Sequence, residues 1–343
     1  MFNFKSISIV LLFSIFSTLV SANEYVNVYT SRHYDSDAEL YSKFTDETGI
    51  KVVILSGKAK ALMERLKSEG ENSPADVFIT VDAGNLWKFE SDGMFQSINS
   101  SSISSAVPSN LRGPNDRWVA IAKRSRVIYY NPKTVSESEI TNLSYEDLSD
   151  PKWKGRIVIR SSGNMYNQSL VSSLISNHGV EATEAWAKGF VSNFARKPEG
   201  NDRAQIMAVA NGEADIAVAN SYYIGLMLSG KKGDEQQAAA KKVNLHFPSQ
   251  SGRGAHINIS GAGLLKNSPN PENALKFIEF LLSDTAQEHI VNNTYEYPLS
   301  SNVTPNELIA QFGTSFKEDQ TSVADYGKFN PEAVKLMDRV GWQ

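Results

Sequence analysis

Cysteine is absent from the 343-residue chain. That excludes disulfides, thiolate-held zinc, iron–sulfur clusters, a cysteine nucleophile and a lipid-bearing N-terminal cysteine. Histidine is scarce. Of the five, no two stand four residues apart, the spacing a zinc-binding helix needs. No Gly-x-Ser-x-Gly nucleophile elbow occurs. The glycine-rich stretch Gly252-Arg-Gly-Ala-His256 lacks the Gly-Lys-Ser ending of a phosphate loop and reads as a hinge or cleft edge. Excess positive charge is missing too. With 34 Lys and Arg against 38 Asp and Glu, a net charge of −4 provides no general field for nucleic acid or an anionic membrane. No fixed-period repeat or long low-complexity tract interrupts the chain.

At 41% hydrophobic and 21% charged, the composition is that of a soluble globular protein, and the length suits two domains. Residues 1–22 read as a cleavable signal peptide. Lys5 supplies the positive start, and the apolar run over residues 7–20 falls short of the roughly 20 needed to cross a bilayer. Val20-Ser21-Ala22 offers a small residue before the cut. The mature chain is expected to be exported and soluble.

Short β-rich runs then alternate with helical patterns. Strands are expected at 25–30, 51–55 and 76–80, with helices over 37–47 and 60–69 between them. That order implies parallel strands with right-handed crossovers, covered by helices on both faces. Residues 118–131 form one long extended stretch containing Arg124 and Arg126. A second series follows, with strands at 157–160, 216–220, 243–247 and 257–265. Its helices fall at 170–179, 181–194, 203–211, 273–282 and 285–292, and an amphipathic tail covers 331–340. Two such series, joined by crossings near 120–126 and 247–256, predict two lobes with a cleft. Ligands in open α/β sheets bind beyond the carboxyl ends of strands.

Four tyrosines fall at such ends: Tyr34 after the first strand, Tyr166 after the 157–160 strand, and Tyr222 and Tyr223 after the 216–220 strand. Phenol hydroxyls gathered in one cleft need a common partner. A hard, highly charged cation suits oxygen donors and can take their protons. Strand-end tyrosines also line sugar and peptide clefts, so residue spacing alone leaves both readings open. Asp35 and Asp37 read as caps of the following helix.

Several segments resemble the iron(III)-binding periplasmic proteins of ABC importers, most of all their cyanobacterial branch. The general marks are Tyr29-Thr-Ser-Arg-His-Tyr34, Ser73-Pro-Ala-Asp-Val77 and Asp147-Leu-Ser-Asp-Pro-Lys-Trp-Lys-Gly155. The specific one is Ser221-Tyr222-Tyr223 after Gly212-Glu-Ala-Asp-Ile-Ala-Val-Ala-Asn220. The resemblance implies an α/β type II periplasmic-binding-protein fold, two lobes joined by extended hinge strands, with a metal site in the cleft. It implies lobe 1 from residues 23–122 and 250–305, lobe 2 from 123–249, and a C-terminal helical segment, 306–343, packed on both.

By the same resemblance Tyr34, Tyr166, Tyr222 and Tyr223 are ferric ligands, and His33 sits where some relatives supply an imidazole. The implied cargo is Fe3+, with Fe2+ held more weakly. The implied partner is an inner-membrane ABC permease, and the implied state is a non-enzymatic periplasmic monomer that neither binds nucleic acid nor inserts stably in a membrane. One ferric ion with four phenolates carries a single negative charge. An arginine is therefore expected behind the phenols, with Arg203 first, then Arg32 and Arg126. The rivals are a receptor for an organic solute such as a polyamine or thiamine, and a non-haem ferric enzyme.

Overall fold

The computed structural model describes residues 25–32 and 34–343. The signal segment at 1–22 and the His33 imidazole lie outside the described residues.

The first lobe begins with β1 (Tyr25–Thr30), α1 (Asp37–Thr48), β2 (Lys51–Ser56), α2 (Ala59–Glu69), β3 (Val77–Val81) and α3 (Ala83–Ser91). β1 pairs in parallel with both β2 and β3, the βαβαβ arrangement expected from the alternation. Its second half is buried on both faces, as a parallel strand under two helix layers must be. α4 (Ser101–Ala106) then leads to β4 (Trp118–Tyr130), the extended stretch predicted at 118–131.

α5 (Glu137–Ile140), β5 (Ile157–Val158), α6 (Met165–His178), α7 (Val180–Ser192), α8 (Asp202–Asn211), β6 (Ile216–Asn220), α9 (Tyr222–Leu228), α10 (Asp234–Ala240) and β7 (Asn244–His246) build the second lobe. β8 (Ile257–Leu264), α11 (Pro271–Leu281) and α12 (Asp284–Thr294) return to the first. α13 (Glu307–Ala310), α14 (Ala324–Lys328) and α15 (Asn330–Arg339) finish the chain.

The strands follow the order β2-β1-β3-β8-β4-β6-β5, with β7 also on β4. β4 belongs to both lobes. Its residues up to Ser125 pair with β8, and from Arg126 onward they pair with β6. Its pairing with β8 slips register between Ala120 and Ala122. Residues 247–256 were expected to be a second extended crossing. They turn instead: the N–H groups of Gly252 and Gly254 both donate to the Ser249 carbonyl. Gly254 has φ +100°, and a Cβ there would lie 2.6 Å from the Lys317 carbonyl oxygen. The second extended connection is β8, which starts just after this turn.

The core divides accordingly. One cluster holds Val28, Phe44, Phe78, Phe89, Ile259 and Phe277 of the first lobe. Two more lie on either side of the second lobe's sheet, around Val127, Ile206 and Ile224 and around Ile128, Leu174 and Phe190. The C-terminal segment is shared. Val323 and Tyr326 join the first lobe's core, whereas Leu336, Met337 and Trp342 join the second's.

Close approach explains one glycine in the central strand. A Cβ on Gly261 would stand 2.5 Å from Leu86 Cδ1 of α3 and 2.8 Å from the Val119 carbonyl oxygen. Backbone cannot yield as a flexible side chain can. Gly261→Ala is expected to lower stability by about 1–3 kcal/mol, read from urea unfolding.

Candidate metal centre

Each tyrosine is held by the end of an element. Tyr34 lies between β1 and α1. Tyr166 sits in the first turn of α6, and Tyr222 and Tyr223 open α9. The turn before the pair is fixed from β4. Ser221 N–H donates to the Ser125 carbonyl at 2.8 Å, and the Tyr129 hydroxyl donates to the Asn220 carbonyl at 2.9 Å. Asn167 holds the β5–α6 loop by donating to the carbonyls of Arg160, at 2.8 Å, and Ser161, at 3.2 Å.

Tyr166, Tyr222 and Tyr223 form one cluster, and Tyr34 lies within electrostatic reach of Tyr166 and Tyr222. The Tyr222 and Tyr166 hydroxyls are 3.5 Å apart. The rings of Tyr222 and Tyr223 pack with centroids 4.2 Å apart, tilted by 34°. Burial pushes the Tyr222 phenol well above its ordinary value, and ionisation of Tyr166, Tyr223 or Tyr34 would push it further. Tyr34 is also raised well above, first by burial and then by Glu296. Tyr223 is raised by burial and by Asp202. Burial thus favours the protonated form of Tyr34, Tyr222 and Tyr223. Anything that binds them as phenolates must expel those protons.

Four guanidinium groups face the rings. Arg32 lies 4.8 Å from the Tyr34 ring centroid, and Arg124, Arg160 and Arg126 lie 5.7, 5.8 and 6.0 Å from that of Tyr166. Two carboxylate systems hold them. Asp202 accepts from Arg126 at 2.9 Å and from Arg160 at 2.6 Å, while Arg126 also donates to Asn220 at 2.9 Å and to Asn167. Arg32 forks onto Asp37 at 3.0 and 3.2 Å and reaches Glu296 at 3.4 Å; Glu296 is 3.7 Å from Arg124. Burial works against the charge on Arg32, but Asp37 and Glu296 outweigh it and hold the guanidinium protonated. Asp37 is thus a partner of Arg32, not a cap. The capping position belongs to Ser36, whose side chain makes no capping bond.

Arg203, placed first by the sequence, is not among these four. It donates to Gln236 of α10 at 3.1 Å. Adjacent helical residues point about 100° apart, so when Asp202 faces the arginines its neighbour faces α10. Sequence reasoning missed Arg160, Asp202 and Glu296, and named Arg124 without giving it a role. Arg160 had a usable signal, since it closes an apolar strand just before Tyr166, where the tyrosines themselves were found. Three of the other histidines are engaged elsewhere: His178 contacts Glu146, His246 a carbonyl, and His289 the Ser36 carbonyl. The fourth, His256, is buried, and burial together with the nearby Arg126 and Arg124 holds its imidazole neutral. Among the described residues, no three His, Asp or Glu side chains are grouped to hold a metal.

The sequence model of the bacterial extracellular solute-binding proteins matches residues 72–317. This chain belongs to that family. Iron uptake protein A1 of Synechocystis is 53% identical to it over 93% of this chain and 87% of that protein. A solved Trichodesmium structure (IdiA, FutA), in complex with iron and citrate, superposes with TM-score 0.90 at 54% identity, covering 93% of this chain and all of that one. The apo FutA2 of Synechocystis gives TM-score 0.88 at 42% identity, covering 94% of this chain and 100% of that one. The chain shares with these neighbours the type II periplasmic-binding-protein fold. Among the described residues, no helix is long and apolar enough to cross a membrane.

Proposed function

We propose that this solute-binding protein captures ferric iron in the periplasm through Tyr34, Tyr166, Tyr222 and Tyr223 and passes it to an ABC importer in the inner membrane. One observation carries the reading: phenols from separate strand ends meet, with the Tyr222 and Tyr166 hydroxyls 3.5 Å apart, the Tyr223 ring 4.2 Å from that of Tyr222, and Tyr34 within electrostatic reach of both hydroxyls. Oxygen donors without sulfur suit a hard ion, and a trivalent ion supplies the field that ionises a buried phenol. The arginines favour ionised phenols. Four of them face the rings; among the described residues Asp37, Asp202 and Glu296 pair with them, and Asp82 adds its field at Arg124. Their guanidinium groups stand where the negative charge of a ferric tetraphenolate would fall. The relatives named for iron uptake and the iron-containing Trichodesmium structure favour the same cargo.

Tyr34 comes from the first lobe and the other three from the second, so a bound ion favours the arrangement that brings the lobes together. Ferrous iron would leave one more uncompensated negative charge and should bind more weakly. His33, next to Tyr34 in sequence, either coordinates the ion or lines the site on this reading. Loading with ferric citrate should yield one iron per chain and a visible phenolate-to-iron absorption. Binding should weaken as pH falls, because the raised phenols regain protons that iron must displace. A colourless, iron-free product at neutral pH would reject the proposal. So would affinity that rises with acidity.

A further inference from the structure

Asp82 has a backbone conformation that aspartate seldom adopts, φ +80°. It joins β3 to α3 in the first lobe and is fully buried. Two sides of its surroundings hold it there. Its N–H donates to the Ile259 carbonyl of β8 at 2.9 Å, and the next N–H, of Ala83, donates to Asn258 Oδ1 at 3.1 Å. Its carboxylate caps α3 by accepting from Gly84 N–H at 2.9 Å, and it accepts from Asn258 Nδ2 at 2.8 Å. A residue kept in a disfavoured conformation by several bonds points to a function.

The remaining contact crosses the cleft. Ser169 Oγ of α6, in the second lobe, lies 2.9 and 3.0 Å from the two oxygens of Asp82. Ser169 is three residues after Tyr166, on the same face of the same helix. Beside it, Met165 Sδ lies only 3.5 Å from where a Cβ on Gly84 would be, so the two lobes touch here. Farther along α6, Ser176 Oγ donates to Asp325 at 2.6 Å, in a segment whose core contacts belong to the first lobe.

We propose that Asp82 and Ser169 form an interlobe latch that positions Tyr166 against Tyr34 and slows iron release. The proposal rests on the tyrosine iron site above. Asp82 is a positioning residue: it touches no ligand, but it fixes the helix from which one ligand projects. A hydrogen bond to a charged group is among the stronger ones, and here both partners are buried.

The test uses Ser169→Ala, with Asp82→Gly as the reciprocal change, because glycine accepts the φ value and is tolerated at a cap. Ser173→Ala is the control. Ser173 lies on the same helix, equally buried, and its hydroxyl has no hydrogen-bond partner. Iron-loaded protein is mixed with excess EDTA, and metal-free protein is measured by small-angle X-ray scattering. Ser169→Ala should release iron about tenfold faster with its visible absorption maximum unmoved, and its metal-free form should scatter as a more extended particle. Asp82→Gly should do the same, and the double variant should add little. Ser173→Ala should match the wild type. Release or scattering unchanged in Ser169→Ala would overturn the latch, as would a lowered melting temperature with release unaltered. A wild type that never takes up iron would instead reject the tyrosine site, and scattering would still decide the latch.

Discussion

Ferric loading of Tyr222→Phe should leave a nearly colourless protein whose iron affinity has fallen by more than about 100-fold. That floor follows because groups merely supporting a metal ligand already cost about 10–100-fold when removed, and Tyr222 is proposed here as a ligand itself. Phenylalanine preserves the ring that packs 4.2 Å from Tyr223. The fold should therefore survive, with the melting temperature of the metal-free variant close to the wild type. Tyr223→Phe should behave alike. Absorption spectroscopy with chelator competition measures both effects. Retained colour and affinity in both variants would remove the paired tyrosines from the coordination sphere.

Asp202→Ala should have the largest effect on stability, a loss of about 3–5 kcal/mol in urea unfolding. The carboxylate is fully buried and holds Arg126 and Arg160 at 2.9 and 2.6 Å. It also accepts from Asn220 N–H at 3.2 Å, at the end of the strand leading to the tyrosine pair. Removing it strands two guanidinium groups, one of them wholly enclosed. The same change should lower the Tyr223 phenol, because Asp202 is one of the groups that raise it. The variant should thus be less stable while ionising that phenol more readily, a combination that ultraviolet pH titration can detect.

The alternation of strands and helices was legible in the sequence because it depends on local periodicity. The four tyrosines were legible because they follow runs such as Ile216–Asn220, whose carboxyl ends define the cleft. The charges behind them were not. Arg126 meets Asp202 only because β4 runs antiparallel to β6 and α8 packs beside that sheet. No local pattern signals a pairing across 76 positions. Arg203 was the wrong arginine to place first: it turns to Gln236, while Arg32, Arg124, Arg126 and Arg160 lie against the rings. Asp82 escaped notice for a different reason: what marks it is a dihedral angle, and a capping aspartate before a helix looks ordinary in sequence. Asp37 shows the converse, since a residue well suited to capping is recruited by an arginine five positions earlier.

The strand shared by both sheets has a mechanical consequence. Arg124 and Arg126 leave it on the same side, two residues apart, and Ser125 between them is where pairing passes from β8 to β6. One arginine leans on Glu296 and the other on Asp202. Any swivel of one half of the molecule against the other must twist this ribbon between the two cations and reset their separation. The axle of the movement is thus itself a part of the electric field that the cargo meets.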